Sequence, residues 1–314
     1  MFNLAGPSEI EGVVDVLIMG AGPAGMTAAV YAARKRRQIG IVTKDIGGQV
    51  AWTLGIENYM GYQFITGREL TAKFEEQVRQ FSIPIVVDEV KGIKVGKDIF
   101  ESTTAGGRTI ESKSIIVASG KRPKELGLPG EQRFVGRGLS YCATCDGPLF
   151  SGKGVAVIGG GNSAVQAAIE MGSVASRVFI VSRNPWRADP VIADKADLAR
   201  NLERRIGFEV TEILGNTRVE GLRIREKATG QEEILDVNGV FVEIGLSPNT
   251  DFVKGILKLN DRGEVVVNCR CETNVPGIFA AGDVTDVQEK QIVVAAGEGA
   301  KAALSAHEYL MLKP

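Results

Sequence analysis

Apolar residues along this chain gather into short runs that end in glycine, and helical stretches follow several of them. Val14–Met19 leads into Gly20-Ala21-Gly22-Pro23-Ala24-Gly25, then a helix from about Met26 to Arg37, then a second apolar run, Ile39–Thr43. The same order returns at Val155–Ile158, Gly159-Gly160-Gly161-Asn162-Ser163-Ala164, a helix to about Val174, and Val178–Ser182. Gly20 to Thr43 is 23 positions, and so is Gly159 to Ser182. Short runs of β-branched residues bounded by glycine predict buried strands. The chain is therefore predicted to carry the βαβ dinucleotide-binding unit twice.

Further runs fit around these two units. Ile115–Gly120 and Val240–Gly245 are predicted strands that end in glycine, with Pro123 and Pro248 close behind as punctuation. Gly277–Asp283 is predicted to deliver Asp283 at the C-terminal end of a strand, where ligands of open α/β sheets bind. Val265–Cys271 is predicted as one more strand. The fold expected is α/β, with two Rossmann-like dinucleotide-binding domains, the second inserted into the first. Residues 1–120 and 246–314 would form the outer domain and 121–245 the insert.

Within each unit the glycines permit a tight turn and let the backbone approach a pyrophosphate, while the following helix offers free N–H groups and a positive dipole end. A duplicated scaffold that binds no nucleotide is the plainer alternative. Val16–Ala33 is uncharged and long enough to suggest a membrane helix. Gly20, Gly22, Pro23 and Gly25 interrupt it, and its first part reads as a strand.

Composition narrows the choices. The chain has 314 residues, 44% of them hydrophobic, enough for about two domains. Its 37 basic and 38 acidic residues leave a net charge of −1, which recommends neither nucleic acid nor an anionic membrane as partner. Met1 to Glu11 has no basic segment followed by an apolar run, so a cytoplasmic setting is expected. There, four cysteines point to redox, metal-binding or free thiols rather than a structural disulfide framework.

Cys142 and Cys145 are three apart, so on a helix they share a face and can form a disulfide. A helix N-terminus would favour the thiolate. They lie between the two glycine motifs, an order that suggests an electron path from pyridine nucleotide to flavin to disulfide. The alternative is a zinc half-site completed by Cys269 and Cys271. That second pair lies 124 residues beyond Cys145 in a Cys-x-Cys spacing, and reads better as packing residues on one face of their strand. No metal is expected. His307, the single histidine, reads as structural or surface. Arg34-Lys35-Arg36-Arg37 reads as a solvated helix end. Trp52, Tyr59 and Phe64 could neighbour a flavin, with core packing the plainer reading of Trp52 and Phe64.

From about residue 13 onward the chain resembles the low-molecular-weight, flavin-dependent thioredoxin reductases. The motifs are Gly20–Gly25, Gly47-Gly48-Gln49, Glu57-Asn58-Tyr59, Cys142-Ala143-Thr144-Cys145-Asp146-Gly147, Gly159–Ala164 and Ala281-Gly282-Asp283. Cys145–Phe150, Lys290-Gln291-Ile292 and Gly297–Ala300 are also similar to the flavoprotein subunit of alkyl hydroperoxide reductase. That subunit carries a further N-terminal redox module. Here about a dozen residues precede the first strand, so the reduced partner is expected to be a separate protein.

The resemblance implies FAD in the outer domain, held by Gly20, Gly22, Pro23, Ala24, Gly25, Thr43, Gly48, Gln49, Asn58, Gly120, Gly282, Asp283, Gln291 and Ile292. It implies NADPH in the insert, held by Gly159, Gly161, Asn162, Ser163, Ala164, Ser182, Arg183 and Arg187. Cys145 would face the flavin, Cys142 would attack the partner's disulfide, and Asp146 would serve as general acid or base. The partner implied is thioredoxin or a thioredoxin- or glutaredoxin-like disulfide, and the assembly a homodimer. Ser182-Arg183-Asn184-Pro185-Trp186-Arg187 departs from the family's His-Arg-Arg string and is one residue shorter. NADH or a ferredoxin-type donor, serving a glutaredoxin-like or peroxide-reducing protein, is the alternative.

Overall fold

A computed structural model of the chain describes residues 9–53 and 55–312. The first eight residues, part of the segment without a leader pattern, lie outside the described residues. Two parallel sheets organise the molecule, and the second is contributed entirely by residues between 139 and 242.

The outer sheet has seven strands. Its parallel part runs Ile85–Val87, Ile39–Ile46, Val14–Ala21, Thr109–Val117 and Ile278–Ala280 in spatial order. Val16, Leu17, Ile18, Ile41, Ile115 and Ile116 are fully buried because helices and loops cover both faces, as parallel strands require. The long strand Thr109–Val117 pairs with Val14–Ala21 along one edge and serves two partners along the other. Its first half pairs antiparallel with Phe100–Thr104 and its second half parallel with Ile278–Ala280. That antiparallel meander was not foreseen from the pattern.

Helix Pro23–Arg34 begins with proline in its first turn, where the missing N–H costs nothing. It packs against the C-terminal helix Ile292–Leu312 at very short range: a β-carbon on Gly299 would lie 2.1 Å from the Ala24 carbonyl oxygen. Gly299→Ala should therefore push the two helices apart and cost roughly 1–3 kcal/mol. The midpoint of the first urea transition reads this, and an unchanged midpoint would contradict the packing. The basic string after the first helix is not wholly solvated. Arg37 donates to His307 Nδ1 at 3.0 Å, so His307 ties the helix end to the C-terminal helix.

The inserted sheet runs Leu202–Ile206, Arg177–Ser182, Gly154–Ile158, Gly239–Val242 and Leu139–Ser140, all parallel. A three-stranded antiparallel sheet, Phe208–Leu214, Gly221–Glu226 and Glu232–Leu235, covers one side of it. Each parallel sheet has its own apolar clusters, and among the described residues no cluster draws on both. The two crossings pair with each other as a short antiparallel ribbon, Lys121–Pro123 with Leu246–Pro248. Gly120 (φ 64°) and Gly245 (φ 103°) stand before its two strands in left-handed conformations that favour glycine.

Val265–Cys271 is not a regular strand, which corrects the expectation above. Asn268 Oδ1 accepts the N–H groups of Arg270 and Glu272 at 2.9 and 3.0 Å and curls the segment into a turn. Cys269 is left exposed and Cys271 buried, so they do not share a face.

Candidate functional site

The C-terminal ends of the outer strands open onto a cleft of about 610 Å³. The first glycine turn forms one wall, with Gly20, Gly22, Pro23 and Ala24 exposed to it. A β-carbon on Gly22 would meet nothing within 4 Å, so this backbone faces open space. Gly25 is different. It lies outside the cleft, and a β-carbon there would sit 1.9 Å from the Gly20 carbonyl oxygen, so it closes the turn against the strand. Thr43 lines the cleft and braces the turn, accepting the Ala21 N–H at 3.0 Å.

Gly48, Gln49, Gly120, Gly282, Asp283, Gln291 and Ile292 also line the cleft. Asp283 stands three residues past strand Ile278–Ala280, and Gln49 Nε2 donates to it at 3.4 Å. Burial pushes its carboxyl up, against the pull of Lys290 and Lys121. The Gly282 N–H before it is held by Glu298 Oε2 at 2.7 Å. Asn58 is not in the cleft wall; it reaches the site by donating to Gln291 Oε1 at 3.2 Å. Lys121 and Lys290 line the cleft and converge on the buried Glu264. Burial alone would raise the Glu264 carboxyl, but its hydrogen bonds from Lys121 and Asn260 hold it below the usual range. Burial, together with Lys121, lowers the Lys290 ammonium.

The insert supplies the other wall. Edge strand Leu139–Ser140 feeds a single helical turn, Ala143–Asp146, and Cys142 is its extended cap rather than part of it. Cys142 and Cys145 form a disulfide with Cα atoms 5.3 Å apart. In a disulfide neither sulfur is a free thiolate. The Cys145 N–H points at Cys142 Sγ at 3.2 Å. Asp146 is buried, and Ser140 Oγ donates to its Oδ2 at 2.6 Å. Ser140 Oγ also accepts the Cys142 N–H at 3.1 Å. Cys142, Cys145 and Asp146 line the same cleft as the first glycine turn.

None of the residues predicted for the second nucleotide lines that cleft. They gather at the ends of the inserted strands. Ala164 is buried under the Gly159 turn, while Asn162 and Ser163 are exposed. Asn162 is latched to Asp189, donating to its carboxylate at 3.0 Å and accepting its N–H at 2.8 Å. Segment 183–187 folds back over the glycines, with the Arg187 N–H on the Gly160 carbonyl at 2.7 Å. The Ser182 hydroxyl donates to the Asn184 carbonyl at 2.9 Å, and the Arg183 and Arg187 side chains are exposed.

Of the aromatic candidates, Tyr59 packs edge-on against Phe74 with centroids 5.7 Å apart and lies outside the cleft wall. Phe64 is exposed rather than in the core, and the Trp52 side chain lies outside the described residues. Ser140, Glu264 and Glu298 were not anticipated. A serine on a two-residue strand has no periodic signal, and a carboxylate's burial is decided by distant partners.

A family model described as pyridine nucleotide-disulphide oxidoreductase matches residues 14–299. The chain belongs to that family. The chain is 37% identical to the thioredoxin reductase of Streptococcus pyogenes, whose crystal structure superposes with a TM-score of 0.90 over 95% of this chain and 98% of that one. The Lactococcus lactis thioredoxin reductase in its FR conformation is 34% identical, with coverage of 95% and 99%, yet its TM-score is 0.67. In sequence the chain is 44% identical to the F subunit of alkyl hydroperoxide reductase in Pseudomonas putida, over 95% of this chain and 58% of that protein. The chain thus spans little more than half the length of that relative. No helix among the described residues is long and apolar enough to cross a membrane.

Proposed function

We propose that this chain is a flavoprotein disulfide reductase that takes reducing equivalents from NADPH and passes them, through FAD and Cys142–Cys145, to a thioredoxin-like protein disulfide. One observation carries the reading: the disulfide lines the same cleft as the glycine turn at Gly20 and the strand-end Asp283.

The cleft fits FAD by its shape and donors. The open backbone at Gly22 and the N-terminus of helix Pro23–Arg34 suit a pyrophosphate. Thr43, Gly48, Gln49, Asp283, Gln291 and Ile292 supply the remaining contacts, with Gly25 and Asn58 acting through the turn and through Gln291. FAD bound there supplies two-electron redox chemistry. Cys145 faces the cofactor and Cys142 meets the partner. Asp146, oriented by Ser140, gives or takes the thiol proton. Reduction of the partner then proceeds by thiol–disulfide exchange, with Cys142 attacking the partner's sulfur and Cys145 displacing it from the mixed disulfide. Mass analysis of released cofactor tests the first step. FMN or no flavin in the folded protein would end the reading.

The second glycine unit is assigned to the nicotinamide nucleotide through Gly159, Gly161, Asn162, Ser163, Ala164, Ser182, Arg183 and Arg187. Ser182 stands where an acid would hold an unphosphorylated ribose, and the two arginines are free to pair with a 2′-phosphate. Such charge-assisted contacts contribute on the order of 1.5–3 kcal/mol. Arg183→Ala and Arg187→Ala should each raise the NADPH Michaelis constant about ten- to a hundredfold and leave NADH kinetics nearly unchanged. A native preference for NADH, or response to neither, would replace this assignment with another donor.

The likeness to the F subunit of alkyl hydroperoxide reductase favours a second reading of the partner, a peroxide-reducing protein with a disulfide of its own. Parallel turnover assays with a thioredoxin and with such a protein decide between them. A homodimer, in keeping with the thioredoxin reductase likeness, belongs to the same proposal and is read by sedimentation.

A further inference from the structure

Strand Gly239–Val242 hands the chain to Glu243, an acid set between Val242 and Ile244 in an otherwise apolar run. Its backbone is fixed beside the second glycine turn. The Glu243 N–H donates to the Ile158 carbonyl at 2.8 Å, and a β-carbon on Gly159 would lie 2.4 Å from the Glu243 carbonyl oxygen. The parallel pairing of Phe241 with Ser140 sets Glu243 beside the turn that carries Cys145, and the Ala143 N–H of that turn pulls its carboxyl down. Glu243 thus stands between the inserted glycine turn and the disulfide.

The charged groups around it are acidic. Glu170, on helix Asn162–Gly172, repels it and also accepts from Thr144 on the same turn at 3.2 Å. Asp146 is the turn's own acid. No basic side chain is paired with Glu243 among the described residues. Burial, with a smaller push from Glu170, raises its carboxyl to about 7 against the Ala143 hydrogen bond.

The free amides of the turn would otherwise favour a thiolate on Cys142, at which the Cys145 N–H already points. A carboxylate beside the Ala143 N–H draws on one of those donors and repels the thiolate. We propose that Glu243 is a positioning residue that sets the thiol acidity of the Cys142–Cys145 pair, its charge making the dithiol a stronger reductant. This rests on the redox reading of the pair given above.

Reduction by dithiothreitol measures the effect without donor or partner. The Cys142–Cys145 S–S bond breaks, the reagent closes to its cyclic disulfide, and two electrons with two protons pass to the cysteines. One proton is then released where a thiolate forms, and ionised Glu243 opposes that release. The flavin-loaded protein, its Glu243→Gln variant and its Glu243→Ala variant are equilibrated anaerobically with reduced and oxidised dithiothreitol at about pH 8.5 and about pH 5.5. The dithiol fraction is read by alkylation and mass.

At the higher pH both variants should lie about tenfold further toward the dithiol, equivalent to about 30 mV for a two-electron couple. At the lower pH, where Glu243 is neutral, all three proteins should coincide. In the wild type alone, the alkylation rate should show a second step near pH 7 beside the thiol step. Equal equilibria at the higher pH, an equal shift at both pH values, or a single wild-type step would each overturn the proposal. A wild-type pair that dithiothreitol never opens would instead overturn the redox reading beneath it.

Discussion

Cys142→Ser and Cys145→Ser are each expected to lose reduction of a protein disulfide by at least about a thousandfold, while donor-driven bleaching of the flavin keeps its rate. The two cysteines form one disulfide, so removing either sulfur ends the relay after the flavin rather than before it. The variants should also differ from one another. With Cys142 replaced, a Cys145 thiolate that faces the oxidised flavin as proposed should give a long-wavelength absorption band. With Cys145 replaced the band should be missing. Either variant turning over a thioredoxin at the wild-type rate would refute the dithiol relay, and equal bands would refute the division of roles.

The second large effect concerns movement. The disulfide lines the cleft proposed for the flavin, and the second glycine unit does not, although both belong to the insert. One fixed pose therefore serves the thiols and leaves the nucleotide site outside. The insert has its own core and joins the outer domain through the two-stranded ribbon at Lys121–Pro123 and Leu246–Pro248. Two thioredoxin reductases of similar identity and coverage superpose at 0.90 and 0.67, a gap that a rigid-body rotation produces without a change of fold. We infer that the insert rotates about Gly120 and Gly245 during turnover, and such gating can limit the rate.

A lock is available between the two domains. A β-carbon on Gly55 would lie 3.5 Å from Leu149 Cδ2 of the insert once the exposed Phe64 ring, which it would meet at 2.7 Å, turns aside. Cysteines at these two positions, with Cys269→Ser to remove the exposed thiol, can be bridged by a short bismaleimide while Cys142–Cys145 is oxidised. The bridged protein should lose donor-driven flavin reduction by about a hundredfold or more. Electron exchange between added dithiol and flavin should persist. Full donor activity in the bridged protein would contradict the rotation.

Much of this architecture was legible in the residues because local rules set it. The paired strand–glycine–helix units follow from short β-branched runs, obligatory turns and a fixed spacing. Positions such as Gly20, Gly159 and Gly245 carry left-handed backbone that favours glycine, so the letters there report conformation directly. The segment Val265–Cys271 misled because alternating apolar residues promised a strand, while the Asn268 side chain offered its neighbours a competing turn. Cys142 and Cys145 were read at a helix N-terminus, and Cys142, with extended backbone, is the cap of a single turn there.

By itself the sequence determined the number and kind of elements, the two dinucleotide units and the cysteine pair between them. These depend on side-chain period, turn chemistry and covalent spacing, which act over a few residues. Only the tertiary structure decided which strand ends share a cleft: that Asp146 meets Ser140, that Glu264 gathers Lys121 and Lys290, and that Glu243 stands beside the redox turn. These contacts join segments up to 143 positions apart (Lys121 and Glu264), and a buried charge's partners follow from how sheets and helices close on one another. The placement of the disulfide against one glycine unit and away from the other has the same origin. It is set by the pose of one domain on another, which no local pattern encodes.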